Sequence, residues 1–238
     1  MIRNWEAVER DLEGFHNLET TVEFEPYEQI PLRPNYLLDL LANQKVLHLG
    51  CTDHLEIIDH KRSSGQYLHS LLGYVTSKCV GIDINEEAIA HLRRHGIHNI
   101  LAADITTPGI AAILEDHFDT LLLGEVLEHI DNPVDFLRRI VANYGGHISR
   151  YVITVPNAFG LPFLANALNL GREAVNPDHK YWFTPYTLMK VAHQAGLVVE
   201  HVQMCLYENS KGLLPANEAL FKSKPLLLDT IVAVCRAR

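Results

Sequence analysis

Glu125, Glu128 and His129 stand within GEVLEHIDNP, directly after an apolar run, at a spacing that puts all three in one helical turn. Carboxylates and an imidazole so gathered can pass a proton to or from a reacting group. Asp83 ends the apolar run KCVGIDI, where a carboxylate can accept both hydroxyls of a ribose. Asp104 ends NILAADI and suits an adenine amino group, with Ile105 placed to pack on the ring face. Gly50 closes KVLHLG, 33 residues before Asp83, and its missing Cβ lets the backbone approach a ligand closely. Each has a plainer reading as well. Gly50 serves any tight turn, Asp83 and Asp104 can cap helices, and acids in a first turn are favoured by the helix dipole. With 14 histidines in the chain, no single imidazole means much; His48, His54 and His60 read as loop and surface residues.

The elements that must position these groups follow from the alternation of short β-like runs with longer runs of helical period, which is the pattern of an α/β fold. Strands are predicted at 45–50, 78–84, 99–105, 118–126 and 151–156, and a final antiparallel pair at 197–208 and 226–238. Helices are predicted over QYLHSLLGYV, over NEEAIAHLRRHG with Asn85 as N-cap, over 107–116, over PVDFLRRIVANY and over TPYTLMKVAHQAG. Segment 51–65 reads as a polar loop, 157–183 as a long irregular insert, and the stretch between the last two strands as a polar loop without helical pattern. Residues 1–40 read as one or two helices forming a cap, ahead of a main domain at 41–238 whose 157–183 insert serves as a substrate lid. In an open parallel sheet, ligands bind beyond the carboxyl ends of the strands where strand order reverses, so the ends of the first four strands should converge.

A formal charge of −9, from 20 Lys and Arg against 29 Asp and Glu, supplies no broad cationic surface, which weighs against nucleic acid as a partner. No apolar run reaches the roughly 20 residues of a membrane helix. The opening MIRNWEAVERDLEG is polar and acidic where a signal peptide would be basic and then apolar, so a cytoplasmic protein is expected. Cys51, Cys79, Cys205 and Cys235 lie far apart with no CxxC pair, and read as small buried hydrophobes.

Taken in order, KVLHLGC, VGIDI, AADI, FDTLLLGEVLEHIDNP and YVITVPN resemble the five successive motifs of the class I S-adenosylmethionine-dependent methyltransferases, of the type 11/23 kind, over roughly residues 45–235. The resemblance implies a doubly wound, Rossmann-like seven-stranded sheet, mostly parallel with an antiparallel last strand and helices on both faces. It further implies that S-adenosylmethionine lies against His48, Gly50, Cys51, Asp83, Ile84, Asp104, Ile105, Gly124 and Glu125. The first motif departs from the family's glycine-rich pattern: His48 replaces the acid, and Thr52 and His54 replace the two later glycines. Thr and His do not take left-handed backbone angles as readily as Gly, so the loop must run differently or other groups must hold the sulfonium end.

Glu125-x-x-Glu128-His129, joined by His179 from NPDHKYWFTPYTL, is similar to the metal-binding arrangement of small-RNA 2′-O-methyltransferases and of ubiquinone-pathway O-methyltransferases. That likeness implies Glu125, Glu128, His129 and His179 as ligands of a divalent Mg, Mn, Co or Zn ion, with His129 and His179 facing the acceptor as catalytic groups. The segment VPNAFGLPFLANALNLGREAVNPDHKYWFTP also resembles methyltransferases that accompany glycosyltransferases in bacterial surface-glycan pathways, which implies a sugar hydroxyl as acceptor and Tyr181, Trp182 and Phe183 as stacking or core residues. The expectation is an O-methyltransferase of a small molecule or glycan. Its rivals are an RNA 2′-O-methyltransferase, a catalytically degenerate methyltransferase-fold binding protein, and a nicotinamide dehydrogenase.

Overall fold

The computed structural model describes residues 1–14 and 18–238 of the chain. Helix α1 spans Trp5–Glu13 and α2 spans Arg33–Leu41, ahead of strand β1 at Lys45–Leu49. Helices α3 (Leu55–Ser63) and α4 (Leu68–Val75) lead to β2 (Lys78–Asp83), and α5 (Glu86–Arg94) leads to β3 (Ile100–Ala102). The short α6 (Ala111–Leu114) precedes β4 (Phe118–Gly124), and α7 (Pro133–Tyr144) precedes β5 (Ile148–Pro156). Helices α8 (Leu161–Leu170) and α9 (Pro185–Gln194) precede β6 (Leu197–Cys205), and α10 (Leu214–Ser223) crosses to β7 (Thr230–Ala237).

The seven strands form one sheet in the order β3-β2-β1-β4-β5-β7-β6. All pairs from β3 to β5 are parallel, whereas β7 runs antiparallel to both β5 and β6. Apolar residues fill both faces, as a sheet covered on two sides requires. Alternate residues divide between them. Leu47, Leu121, Leu123, Tyr151, Ile153 and Val155 join one core with Leu137 of α7 and Leu188 of α9; Val46, Leu122 and Val152 join another with Leu37 of α2 and Leu72 of α4. A third, smaller cluster packs α3 on α5 through Ile58, Ile89 and Leu92, beside Ile100.

Several local expectations meet their physical reasons here. Asn85 caps α5 by accepting from Ala88 N at 3.0 Å, and Asn132 caps α7 by accepting from Asp135 N at 3.1 Å. All four cysteines are buried and free. The polar loop expected at 51–65 contains α3, the irregular insert at 157–183 contains α8, and the connection before the last strand contains α10. These helices present at most a narrow buried face: α3 buries Ile58, α10 buries Phe221, and α8, though mostly apolar in sequence (LPFLANALNL), buries none of its residues fully. The helix expected at 107–116 is a single turn, 111–114. Of residues 1–40, expected as a cap, residues 15–17 lie outside the described residues. Helix α1 packs on α9, where Lys190 Nζ donates to the Asp11 and Leu12 carbonyls at 3.1 and 2.8 Å. No helix of the described residues is long and apolar enough to cross a membrane.

Candidate active site

Strand order reverses between β1 and β4, and a cleft of about 850 Å³ opens at the carboxyl ends of the strands on either side. His48, Gly50, Cys51, Asp83, Ile84, Asp104, Ile105, Gly124, Glu125, Glu128, His129 and His179 all line it. Every expected site residue therefore faces one space, although they come from five separate stretches of chain.

At the β1 end, Gly50 turns with φ +69°, and a Cβ there would stand 2.5 Å from Val126 Cγ2. Among the described residues, Asn43 and Glu125 are the non-glycine positions with positive φ, so Thr52 and His54 follow Gly50 with ordinary backbone angles. The chain instead runs into α3 with His54 before its first turn. Asp83 ties this altered loop down: its Oδ2 accepts from Thr52 N and its Oδ1 from Asn85 N, each at 3.0 Å. A carboxylate has about four lone-pair directions, so two remain for a ligand. Ile84 stands beside it with 76% of its surface exposed. Asp104, which lines the cleft, accepts from both the backbone and the hydroxyl of Thr106 at 2.8 Å through Oδ1, while Ile105 is buried.

His48 is buried beneath the cleft floor, its Nδ1 3.3 Å from His69 Nδ1, so one of the two must donate and the other accept. Burial, with His69 next to it, holds His48 well below the usual imidazole range. Burial likewise brings His69 down to about 4. The reading of His48 as a loop or surface residue is corrected: the position that holds an acid in the resembled motif is here a buried, neutral imidazole in β1, excluded from solvent by the sheet.

Glu125 does not share a helical turn with Glu128 and His129, and that expectation is also corrected. It sits at φ +57°, before a 3₁₀ turn at Leu127–His129. Thr154 Oγ1 locks it, accepting from Glu125 N at 3.1 Å and donating to Glu125 Oε1 at 2.7 Å. The Glu125 carboxylate faces Arg33 Nη1 at 3.5 Å, and Arg33 Nη2 reaches Glu208 at 3.3 Å. The Arg33 guanidinium is nearly fully buried and lies 4.6 Å over the Tyr207 ring.

Glu128, His129 and His179 come together, with ligand-capable atoms within 4.8 Å of one another. Glu128 is fully buried, and neither carboxylate oxygen has a hydrogen-bond partner. Burial, helped by the nearby Glu125 charge, pushes its carboxyl up to about 9. His179 Nδ1 is buried and unpartnered as well. His129 Nδ1 lies 3.2 Å from the Asp178 carbonyl, to which it donates, leaving Nε2 with a lone pair. The loop carrying His179 is pinned to the Glu128 turn, because Lys180 N donates to Glu128 O at 2.7 Å and Tyr181 Oη donates to Asp131 O at 2.7 Å.

Tyr181, Trp182 and Phe183 do not line the cleft. Phe183 is in the core, Trp182 packs against Phe163 with ring centres 4.6 Å apart, and it is Phe163, with Pro162, that faces the cleft. Arg33, Tyr207, Glu208 and Asp229, all cleft residues, carry no local sequence signal: the Arg33–Glu208 contact joins residues 175 apart in the chain.

A family model described as a methyltransferase domain matches residues 23–202. The chain is a class I S-adenosylmethionine-dependent methyltransferase. The ubiquinone biosynthesis O-methyltransferase of Aeromonas salmonicida is 26% identical to this methyltransferase over 194 residues, covering 74% of each chain. That of Vibrio parahaemolyticus is 28% identical over 209 residues, covering 79% of the methyltransferase and 76% of the relative. Among solved structures, the small RNA methyltransferase HEN1 superposes with a TM-score of 0.58 at 19% identity, over 92% of the methyltransferase and 27% of HEN1. A SAM-dependent methyltransferase from Archaeoglobus fulgidus gives 0.51 at 18% identity, over 85% of this chain and 90% of its own. These two structural likenesses speak for the fold.

Proposed function

We propose that this methyltransferase transfers a methyl group to a hydroxyl oxygen of a small molecule or glycan, with a divalent ion at Glu128, His129 and His179. The observation that carries this reading is the Glu128 carboxylate, wholly buried and without a hydrogen bond, against two imidazoles at the edge of the cleft. A buried carboxylate left bare is costly unless something pairs with it. One carboxylate and two imidazoles form a donor set that Mg, Mn, Co or Zn accepts, so the residues fit such an ion. When bound, the ion supplies Lewis acidity that lowers the pKa of an acceptor hydroxyl. Glu125, expected as a fourth ligand, is engaged by Arg33 and Thr154 and is not among the three side chains whose ligand atoms gather.

S-adenosylmethionine carries a methyl already activated on a sulfonium. The chain's residues have to hold it, align it and exclude water. Asp83 takes the ribose hydroxyls with its free lone pairs, Ile84 and Ile105 face the adenine, and Asp104 Oδ2 accepts from the ring's amino group. Gly50, Cys51 and Gly124 form the floor, over the neutral His48. Pro162 and Phe163, at the start of α8, make the 157–183 segment the lid of the acceptor side, and Arg33 is the one point at which residues 1–40 reach the cleft among the described residues. His129 and His179 face the acceptor oxygen. The named activity of the ubiquinone-pathway relatives supports the oxygen acceptor. The charge of −9 weighs against RNA.

The test is methyl incorporation from labelled S-adenosylmethionine into catechols, sugar nucleotides and RNA, in EDTA and after adding Mg, Mn or Zn. Ether formation on a catechol or sugar that disappears in EDTA is expected. Transfer only to nitrogen or carbon, or transfer to oxygen indifferent to EDTA, overturns the reading; product on RNA alone shifts it to the RNA enzyme.

A further inference from the structure

A second group of metal-binding side chains lies outside the cleft. His91 and His95 are four residues apart at the end of α5, on one helical face, with ring centres 4.5 Å apart. Asp59 of α3 faces them, and one ligand-capable atom from each of the three lies within 4.8 Å of the others. Two imidazoles and a carboxylate arriving from two helices form a set that zinc and its neighbours in the first transition row prefer.

The details of bonding leave ligand atoms available. His95 Nδ1 donates to the His91 carbonyl at 2.9 Å, which fixes the tautomer and leaves Nε2 with its lone pair. An orienting hydrogen bond of this kind on the far nitrogen accompanies most metal-ligating histidines. His91 Nε2 lies 2.9 Å from Asp59 Oδ1, so these two already stand at the separation of neighbouring ligands. The nearby cation is Arg62, whose Nη1 reaches the same Oδ1 at 3.4 Å while its Nη2 donates to the His95 carbonyl at 3.2 Å. Both contacts to Asp59 use Oδ1 and leave Oδ2 for an ion. Tetrahedral zinc with bonds of about 2.1 Å places its ligands about 3.4 Å apart, so small side-chain rotations close the set.

We propose that Asp59, His91 and His95 form a zinc-class site that clamps α3 to α5, separate from the acceptor-side cluster. Its position gives the clamp a consequence. Helix α3 follows directly on the altered first-motif loop, with His54 before its first turn, and it supplies Ile57 and Lys61 to the cleft wall. Lys61 in turn holds Asp53 of the altered loop at 2.6 Å. An ion that ties α3 to α5 therefore stiffens the wall against which the nucleoside binds, and ion and nucleoside strengthen each other's binding.

The experiment is calorimetric titration of the metal-stripped full chain with zinc, in the wild type and in His91→Ala/His95→Ala, repeated with S-adenosylhomocysteine in the cell. The double variant should bind one zinc equivalent fewer than the wild type. His95→Cys should recover that equivalent and, with cobalt, show a thiolate charge-transfer band absent from the wild type. Zinc should tighten S-adenosylhomocysteine binding at least 3-fold in the wild type and leave the double variant unchanged. These residues sit near the surface, and an unchanged circular dichroism spectrum shows that the variant is folded. Equal zinc stoichiometry in wild type and double variant overturns the site, and equal nucleoside affinity with and without zinc overturns the clamp. Loss of the acceptor-side ion would instead appear in Glu128→Gln, with the α3–α5 equivalent intact.

Discussion

Asp83 and Glu128 are two carboxylates that the fold treats in opposite ways. Asp83 accepts two backbone N–H bonds and stays half open to the cleft; Glu128 is sealed with both oxygens bare. For Asp83→Ala, loss of charged hydrogen bonds worth about 1.5–3 kcal/mol should weaken S-adenosylhomocysteine binding roughly 10- to 150-fold by calorimetry. An affinity within 3-fold of wild type would remove Asp83 from the site. Glu128→Gln should separate stability from activity. In EDTA its urea midpoint should equal or exceed that of wild type, because an uncompensated buried carboxyl has been replaced by a neutral amide of the same shape. Metal-dependent turnover should drop at least 100-fold in the same variant. A variant that is less stable and fully active would mean that Glu128 is structural.

At the scale of elements, the strands were readable because apolar runs bounded by turn residues have few other places to go. Helices α3, α8 and α10 were not: each has at most one fully buried residue, so neither the polar α3 nor the apolar but unpatterned α8 carries a buried stripe of helical period. The site residues at strand ends could be picked out by their order along the chain. Arg33 could not, because its partners Glu125 and Glu208 become neighbours only after the sheet has formed. Nor could the left-handed backbone of Glu125, which Thr154 enforces from β5; such angles at non-glycine residues typically cost about 1–3 kcal/mol and gather at functional sites. Gly50 shows the same constraint from the opposite side. Gly50→Ala combines an unfavourable positive φ with a methyl 2.5 Å from Val126 Cγ2, and should lose roughly 2–4 kcal/mol in urea unfolding. Loss of less than 0.5 kcal/mol would show that the β1 turn relaxes freely.

For the whole molecule, the buried pair His48 and His69 ties stability to acidity. Unfolded, an imidazole takes a proton near pH 6.5; in the fold, His69 does so only at about 4. Between those values the unfolded chain holds more protons, so stability falls as pH drops through that window, by up to about 3 kcal/mol from His69. His48, shifted in the same direction, adds to the slope. Lowering the pH from 7.5 to 5 should cost the wild type more stability in urea unfolding than it costs His69→Gln, which keeps only the His48 contribution and the opposing one of Glu128, whose raised carboxyl favours the fold as pH falls. An identical drop in that variant would place the acid sensitivity elsewhere.

The placement of β7 also has a consequence for synthesis. This strand follows β6 in the chain yet lies between β5 and β6, pairing with both. A nascent chain leaving the ribosome therefore exposes β5 and β6 with a strand-wide gap between them, each offering unpaired amides, until residues 230–237 emerge and close it as a wedge. Translational pausing just upstream of that wedge would prolong the aggregation-prone interval, and chaperone demand should peak there.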